Sequence, residues 1–205
     1  MYIPPYYKEE DTGKLLDFMR ANSFALLTGH SASGLQATHL PFVVEEMNGK
    51  ISLVSHLSAA NPHRNIFESH PDALVVFSGP HAYISPSNYE KQQNVPTWNY
   101  IAVHARGKVR VISGKEQVLA SLKKMIEAYE EKYMEQFKGL SGDYVEAMLK
   151  GIVAFEVMVE KLEGKYKLSQ NKTQNEQKKI IASLERSAHT WDKEIAEAMK
   201  QNLGS

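Results

Sequence analysis

Short apolar runs punctuated by glycine, proline and asparagine fill the chain up to about residue 112, and helical spacing takes over beyond it. Near the start, Leu15, Leu16, Phe18 and Met19 form an apolar stripe that predicts a helix over 9–20, with Asn22 as its stop. Residues 24–28 read as a strand, 29–34 as a turn and 35–44 as the partner strand. Asn48-Gly49 is a two-residue hairpin signal because both positions tolerate positive φ, and 50–55 is the next strand. Asn61-Pro62 reads as a helix start, with Asn as cap and Pro at the first helical position, and that helix ends near His70-Pro71. Further strands are predicted over 74–77, 100–112 and 152–159, and helices over 115–137 and 143–149. Residues 175–200 carry sparse apolar positions (Ile180, Ile181, Leu184, Trp191, Ile195, Met199) and read as one surface or partner-facing helix.

Strands that arrive as a meander with helices inserted favour a mostly β architecture, an antiparallel barrel with flanking helices, over a doubly wound sheet. The string Lys-Tyr-Lys-Leu-Ser-Gln-Asn-Lys closes the expected globular domain, 1–172, and leaves 173–205 as a C-terminal helical extension packed on the domain or on a partner.

Charge changes the picture little. Twenty-four basic and 24 acidic residues cancel, so the whole-molecule field draws neither nucleic acid nor acidic lipid. The absence of cysteine excludes disulfides, thiolate metal sites and cysteine nucleophiles. The opening residues have neither a signal-peptide nor a transit-peptide pattern, and no apolar run is long enough to span a bilayer. A cytoplasmic protein is expected.

Candidate chemistry concentrates between Val75 and Gly107. His81, Tyr83, Ser85, Ser87, Thr97, Trp98, Asn99 and His104 crowd the ends of apolar runs there, among three prolines. Rigid backbone beside many donors and acceptors suits a polar, planar ligand. Trp98 reads either as core or as a flat wall for a stacked ring. His56, Ser58, Asn61 and Arg64 gather where a strand ends and a helix is expected to begin, which reads as a phosphate cradle or as a capped helix with a solvated arginine. His39, His56, His81 and His104 fall at four strand ends, but no His-x-x-x-His pair or nearby carboxylate gives them metal-ligand spacing. No nucleophile elbow, Gly-x-Gly-x-x-Gly, Walker loop or helix-turn-helix pattern is present.

These residues also carry a resemblance. Ala37-Thr-His-Leu-Pro41, His56 with Ala60-Asn-Pro-His63, Gly79-Pro-His-Ala-Tyr-Ile-Ser-Pro-Ser87, Val95-Pro-Thr-Trp-Asn-Tyr100 with Val103-His-Ala105, and Leu162-Glu-Gly-Lys with Lys167-Leu-Ser-Gln-Asn171 occur in this order. Together they resemble the PaiB family of FMN-binding negative transcriptional regulators, from the N-terminus to about Lys172. That family is similar in fold to the FMN-binding split barrels, which include pyridoxamine phosphate oxidase. The resemblance implies a six-stranded antiparallel Greek-key split barrel, a homodimer and interface FMN sites, with promoter DNA as a further partner. The residues expected to hold FMN are Thr38, His39, Leu40, Pro41, Ser55, His56, Asn61, Arg64, Thr97, Trp98, Asn99, Lys167, Ser169 and Gln170. Two departures stand out: Arg64 follows Asn-Pro-His where the family commonly has Trp or another large residue, and Asn88 stands where it usually has Trp. No catalytic side chain and no metal ligand are expected. A flavin-dependent oxidoreductase on the same scaffold is the alternative, and an interaction protein with a vestigial flavin site is the third reading.

Overall fold

Alternation becomes structure most plainly in β2 (Phe24–Ser31), where Ala25, Leu27, Gly29 and Ser31 point inward and the residues between them do not. The computed structural model describes residues 1–31 and 34–204. β2 pairs antiparallel with β3 (Gly34–Pro41), from Phe24 opposite Pro41 to Ser31 opposite Gly34. Both strands run into the segment expected as a turn, and Ala32 and Ser33 lie outside the described residues. The partner strand expected over 35–44 is interrupted at Phe42, which is buried and donates its amide to the Ser23 carbonyl at 2.9 Å. β4 (Val43–Met47) therefore starts a new pairing, with β5 (Lys50–Ser58). Asn48 and Gly49 turn between them with φ of 52° and 75°, as the dipeptide predicts.

Three strands outrun their apolar runs: β6 (Asp72–Ile84), β7 (Thr97–Val111) and β8 (Ile152–Lys167). Pairing carries β6 through Gly79 and Pro80, residues that end strands when read locally. The sheet order is β3-β2-β6-β7-β8-β5-β4, and β1 (Lys8–Glu9) pairs with the end of β8. Among the described residues eight strands stand where six were expected. The two-residue β1 and the break at Phe42 account for the difference.

The described chain divides into two compact units. The hairpin unit, Met19–Phe77 with His104–Leu162, holds β2–β5 and the helices α2 (Lys115–Glu130), α3 (Tyr133–Lys138) and α4 (Gly142–Lys150). The expected helix over 115–137 breaks at residues 131 and 132. Its core is aromatic: the Phe42 ring lies 6.1 Å from Phe77 and 6.2 Å from Phe155, and Phe67 lies 4.9 Å from Phe155. α2 is anchored on that core by Tyr129, whose hydroxyl donates to the Phe42 carbonyl at 3.0 Å.

The terminal unit, Met1–Phe18 with Ser78–Val103 and Glu163–Ser205, holds β1, most of α1 (Thr12–Ala21), α5 (Gln174–Glu185) and α6 (Thr190–Leu203). The single helix expected over 175–200 is two helices. Thr173 and Glu176 form a capping box that starts α5, and 186–189 form the break. Ile180, Ile181, Leu184, Ile195 and Met199 are buried, so the stripe faces inward rather than toward solvent or a partner. Trp191 is the exception, 52% exposed. Among the described residues no helix is long and apolar enough to cross a membrane.

Candidate functional site

In the hairpin unit, polar candidates knot together where β5 turns back toward the sheet. The expected α-helix after Asn61 is a 3₁₀ turn over Pro62–Ile66. Asn61 does cap it, accepting from the His63 amide at 2.9 Å. Five residues align few peptide dipoles, and this cap already uses the first amide. The turn itself therefore has little to offer an anion, and only side chains are left. Arg64 is exposed, and its Nη1 donates to the Ala59 carbonyl at 2.7 Å. His63 is 1% exposed, and its Nδ1 lies 2.9 Å from the Thr38 hydroxyl on β3. The ring has room because residue 29 is glycine: a Cβ there would meet His63 Nε2 at 2.9 Å and Ile66 Cδ1 at 2.5 Å. Ser55 is buried and donates to the Pro41 carbonyl at 2.7 Å, tying β5 to the end of β3.

The remaining candidates of this unit point elsewhere. Leu40 is in the core. His39 is exposed and stacks on Phe24 at 6.0 Å. His56 places Nδ1 3.1 Å from Met125 Sδ on α2. Burial lowers the pKa of His56 and of His63 below the ordinary value of 6.5. Each is therefore held neutral in the folded chain, while the unfolded chain takes up a proton first. Stability should be intact above about pH 6.5 and fall as the pH drops through the lower folded values. Urea titrations at pH 7.5 and pH 5 check this. The midpoint loss should shrink in His63→Gln, and an equal loss in that variant would clear His63 of the effect.

In the terminal unit, the segments 97–99 and 167–170 are bonded together. The Lys167 ammonium donates to the Thr97 hydroxyl and, at 2.6 Å, to the Trp98 carbonyl. Burial, and then the charge of Lys165, hold its pKa below the usual lysine value. Asn99 is fully buried, and its amide donates to the Ser169 hydroxyl at 2.9 Å. Ser169 returns a bond to Asn99 Oδ1 at 3.1 Å from a left-handed backbone, φ 62°. Gln170 braces this turn, accepting from the Leu168 amide at 2.8 Å and donating to the Tyr166 carbonyl at 2.6 Å.

Beside this network the Trp98 side chain turns outward, 51% exposed. It is a wall, not core. His81, Tyr83, Trp98, His189, Thr190, Trp191 and Asp192 line a cleft of about 680 Å³. The His81 ring lies 4.4 Å from Trp191 and 5.7 Å from Trp98, and Tyr83 lies 5.8 Å from Trp98. Trp98 alone of the expected FMN set lines this cleft. His63, Trp191 and Asp192 are absent from that set. The Asn-Pro-His string hinted at His63, whereas only tertiary folding brings residue 191 to residue 81. Among the described residues no three histidine, aspartate or glutamate side chains gather as for a metal.

Residues 1–161 match the family model described as "Putative FMN-binding domain". Protease synthase and sporulation protein PAI 2 of Bacillus subtilis (strain 168) is 37% identical over 206 residues, covering 99% of this chain and 98% of its own. The uncharacterized protein AN0679 of Emericella nidulans is 29% identical over 243 residues, covering 98% and 97%. Among solved structures, the flavocytochrome Anf3 from Azotobacter vinelandii has a TM-score of 0.62 at 15% identity, over 80% of this chain and 72% of its own. The FAD and heme binding protein from Mycobacterium smegmatis has a TM-score of 0.60 at 14% identity, over 78% and 73%. At such identities the likeness is one of fold, the mostly antiparallel split barrel.

Proposed function

The chain belongs to the FMN-binding domain family, and from that premise we propose that it works as a cytoplasmic homodimer that represses transcription and uses FMN as its ligand. FMN is its cofactor and the split barrel its fold. The observation that supports the regulatory reading is the end-to-end likeness to the Bacillus sporulation protein.

The residues present fit the cofactor's chemistry. A phosphate dianion calls for exposed cationic donors, and Arg64 is one, with Asn61 capping the same turn and Thr38 bonded to the adjoining His63. The terminal unit, taken by itself, holds fixed donors and acceptors of the kind a flavin's polar edge calls for, in the bonded segments 97–99 and 167–170 with the Lys167 ammonium at their centre. Bound FMN supplies one- and two-electron redox chemistry. The side chains named here bind and orient, and none is required as a nucleophile or general base.

Two features support self-association. β3 ends the sheet order, and Phe24 and Leu35 on β2 and β3 are 66% and 83% exposed. Large apolar side chains left in solvent suit an isologous contact. Light scattering at micromolar concentration should give about twice the 23.1 kDa chain mass, and a stable monomer that binds FMN would overturn the dimer. Salt-sensitive binding of the FMN-loaded protein to a specific promoter fragment tests the regulatory role. The aromatic cleft, large enough for a small molecule, favours a second reading as a flavin-dependent oxidoreductase. Turnover of reduced nicotinamide without promoter binding would decide for that reading.

A further inference from the structure

We propose that the aromatic cleft of the terminal unit binds an organic ammonium group. Three large aromatic side chains are about half exposed on one small surface: Tyr83 at 50%, Trp98 at 51% and Trp191 at 52%. Exposed rings scattered singly are ordinary, but several clustered on one surface mark a binding site. Their mutual angles indicate which use. His81 is tilted 59° to Trp98 and 65° to Trp191, and Tyr83 is tilted 73° to Trp98. Parallel walls would take a flat ring between them. Rings set steeply to one another instead face in different directions and offer a compact group more than one electron-rich face, which suits a cation.

Charge agrees with shape. Asp192 is the one carboxylate in the lining, and no lysine or arginine is part of it. The Ser187 hydroxyl donates to Asp192 Oδ2 at 2.5 Å, which holds the carboxylate and leaves Oδ1 as an acceptor. Asp192 also sits in the first turn of α6 and offsets the positive end of that helix. An anion, the FMN phosphate included, finds no lysine or arginine here. The inference goes beyond the flavin reading and does not rest on it.

The chain has two tryptophans, and both line the cleft, so its tryptophan emission reports on this site alone. The full-length protein is titrated with choline and, separately, with 3,3-dimethylbutan-1-ol, which has the same shape and no charge. Choline should change the emission saturably, with an affinity at least about tenfold above that of the alcohol. Trp191→Phe should keep that preference, whereas Trp191→Ala should abolish it. Asp192→Asn should weaken choline several-fold. Circular dichroism and an FMN titration of Trp191→Ala, read by flavin fluorescence, should match the wild type, because this exposed side chain carries little of the core. Equal affinity for the two probes, or no saturable response to choline, would overturn the proposal. So would displacement of choline by FMN, which would assign the cleft to the flavin.

Discussion

Gly107→Ala should destabilise the protein by at least about 3 kcal/mol, the upper range for overpacking a filled core. Residue 107 lies on the inward face of β7, where every second residue from Asn99 to Val109 is buried. A Cβ at this position would stand 2.0 Å from the Met158 carbonyl oxygen, 2.7 Å from its carbon and 3.0 Å from Val159 Cα. All three atoms are β8 backbone, so no rotamer change relieves the contact. The two strands must separate, and β8 also carries the pairing with β5 from Ser52 opposite Met158 to Ser58 opposite Ile152. For a chain of this length the loss corresponds to a fall in melting temperature of roughly 6–12 °C, at about 2–4 °C per kcal/mol. Gly142→Ala is the control. It opens α4, has no atom within 4 Å of the added carbon, and should be neutral or slightly stabilising. Differential scanning calorimetry compares the two. An unchanged Gly107→Ala midpoint would mean that β7 and β8 do not approach this closely.

The same close approach shows where local reading stops. The Asn48-Gly49 turn, the alternation of β2 and the capped start at Asn61 depend on residues a few positions apart, and they are legible as sequence. Gly79 and Pro80 look like a strand end, yet β6 runs through them because its neighbours in the sheet supply the pairing. Phe42 looks like one more apolar residue of a long strand. Its burial against Phe77 and Phe155 is what divides β3 from β4. At the C-terminus the apolar positions are as sparse as on a surface helix, but a break at 186–189 folds them inward. The candidate residues divide in the same way. Segments 97–99 and 167–170, each a recognisable string, are joined by Lys167 and by the Asn99–Ser169 pair. The Asn-Pro-His string hints at His63, but its partner Thr38 lies 25 residues away on β3 and only folding brings them together. Trp191 was hidden because neither its exposure nor its nearness to His81 leaves a mark in the helical pattern.

Arg64→Ala should weaken FMN by about tenfold or more and leave riboflavin unaffected. The short 3₁₀ turn removes the rival explanation for phosphate affinity there. The His63 amide is spent on Asn61 Oδ1, and the Arg64 amide donates to the Asn61 carbonyl at 3.2 Å. The guanidinium remains, anchored through Nη1 on the Ala59 carbonyl and exposed at its other donors. That anchor also limits the rotamer entropy lost when an anion binds. A charge-assisted hydrogen bond contributes about 1.5–3 kcal/mol, and each 1.4 kcal/mol is about a factor of ten, so one lost contact accounts for the expected change. Arg64→Lys should fall between, because a point charge replaces a fork of donors. Quenching of flavin fluorescence on titration with each protein measures both affinities. Wild type should prefer FMN to riboflavin, and Arg64→Ala should erase most of that preference. Equal affinity of the wild type for the two flavins would remove Arg64 from the phosphate. A preference that survives the substitution would move the phosphate to another cation, and Lys167 is the next to change.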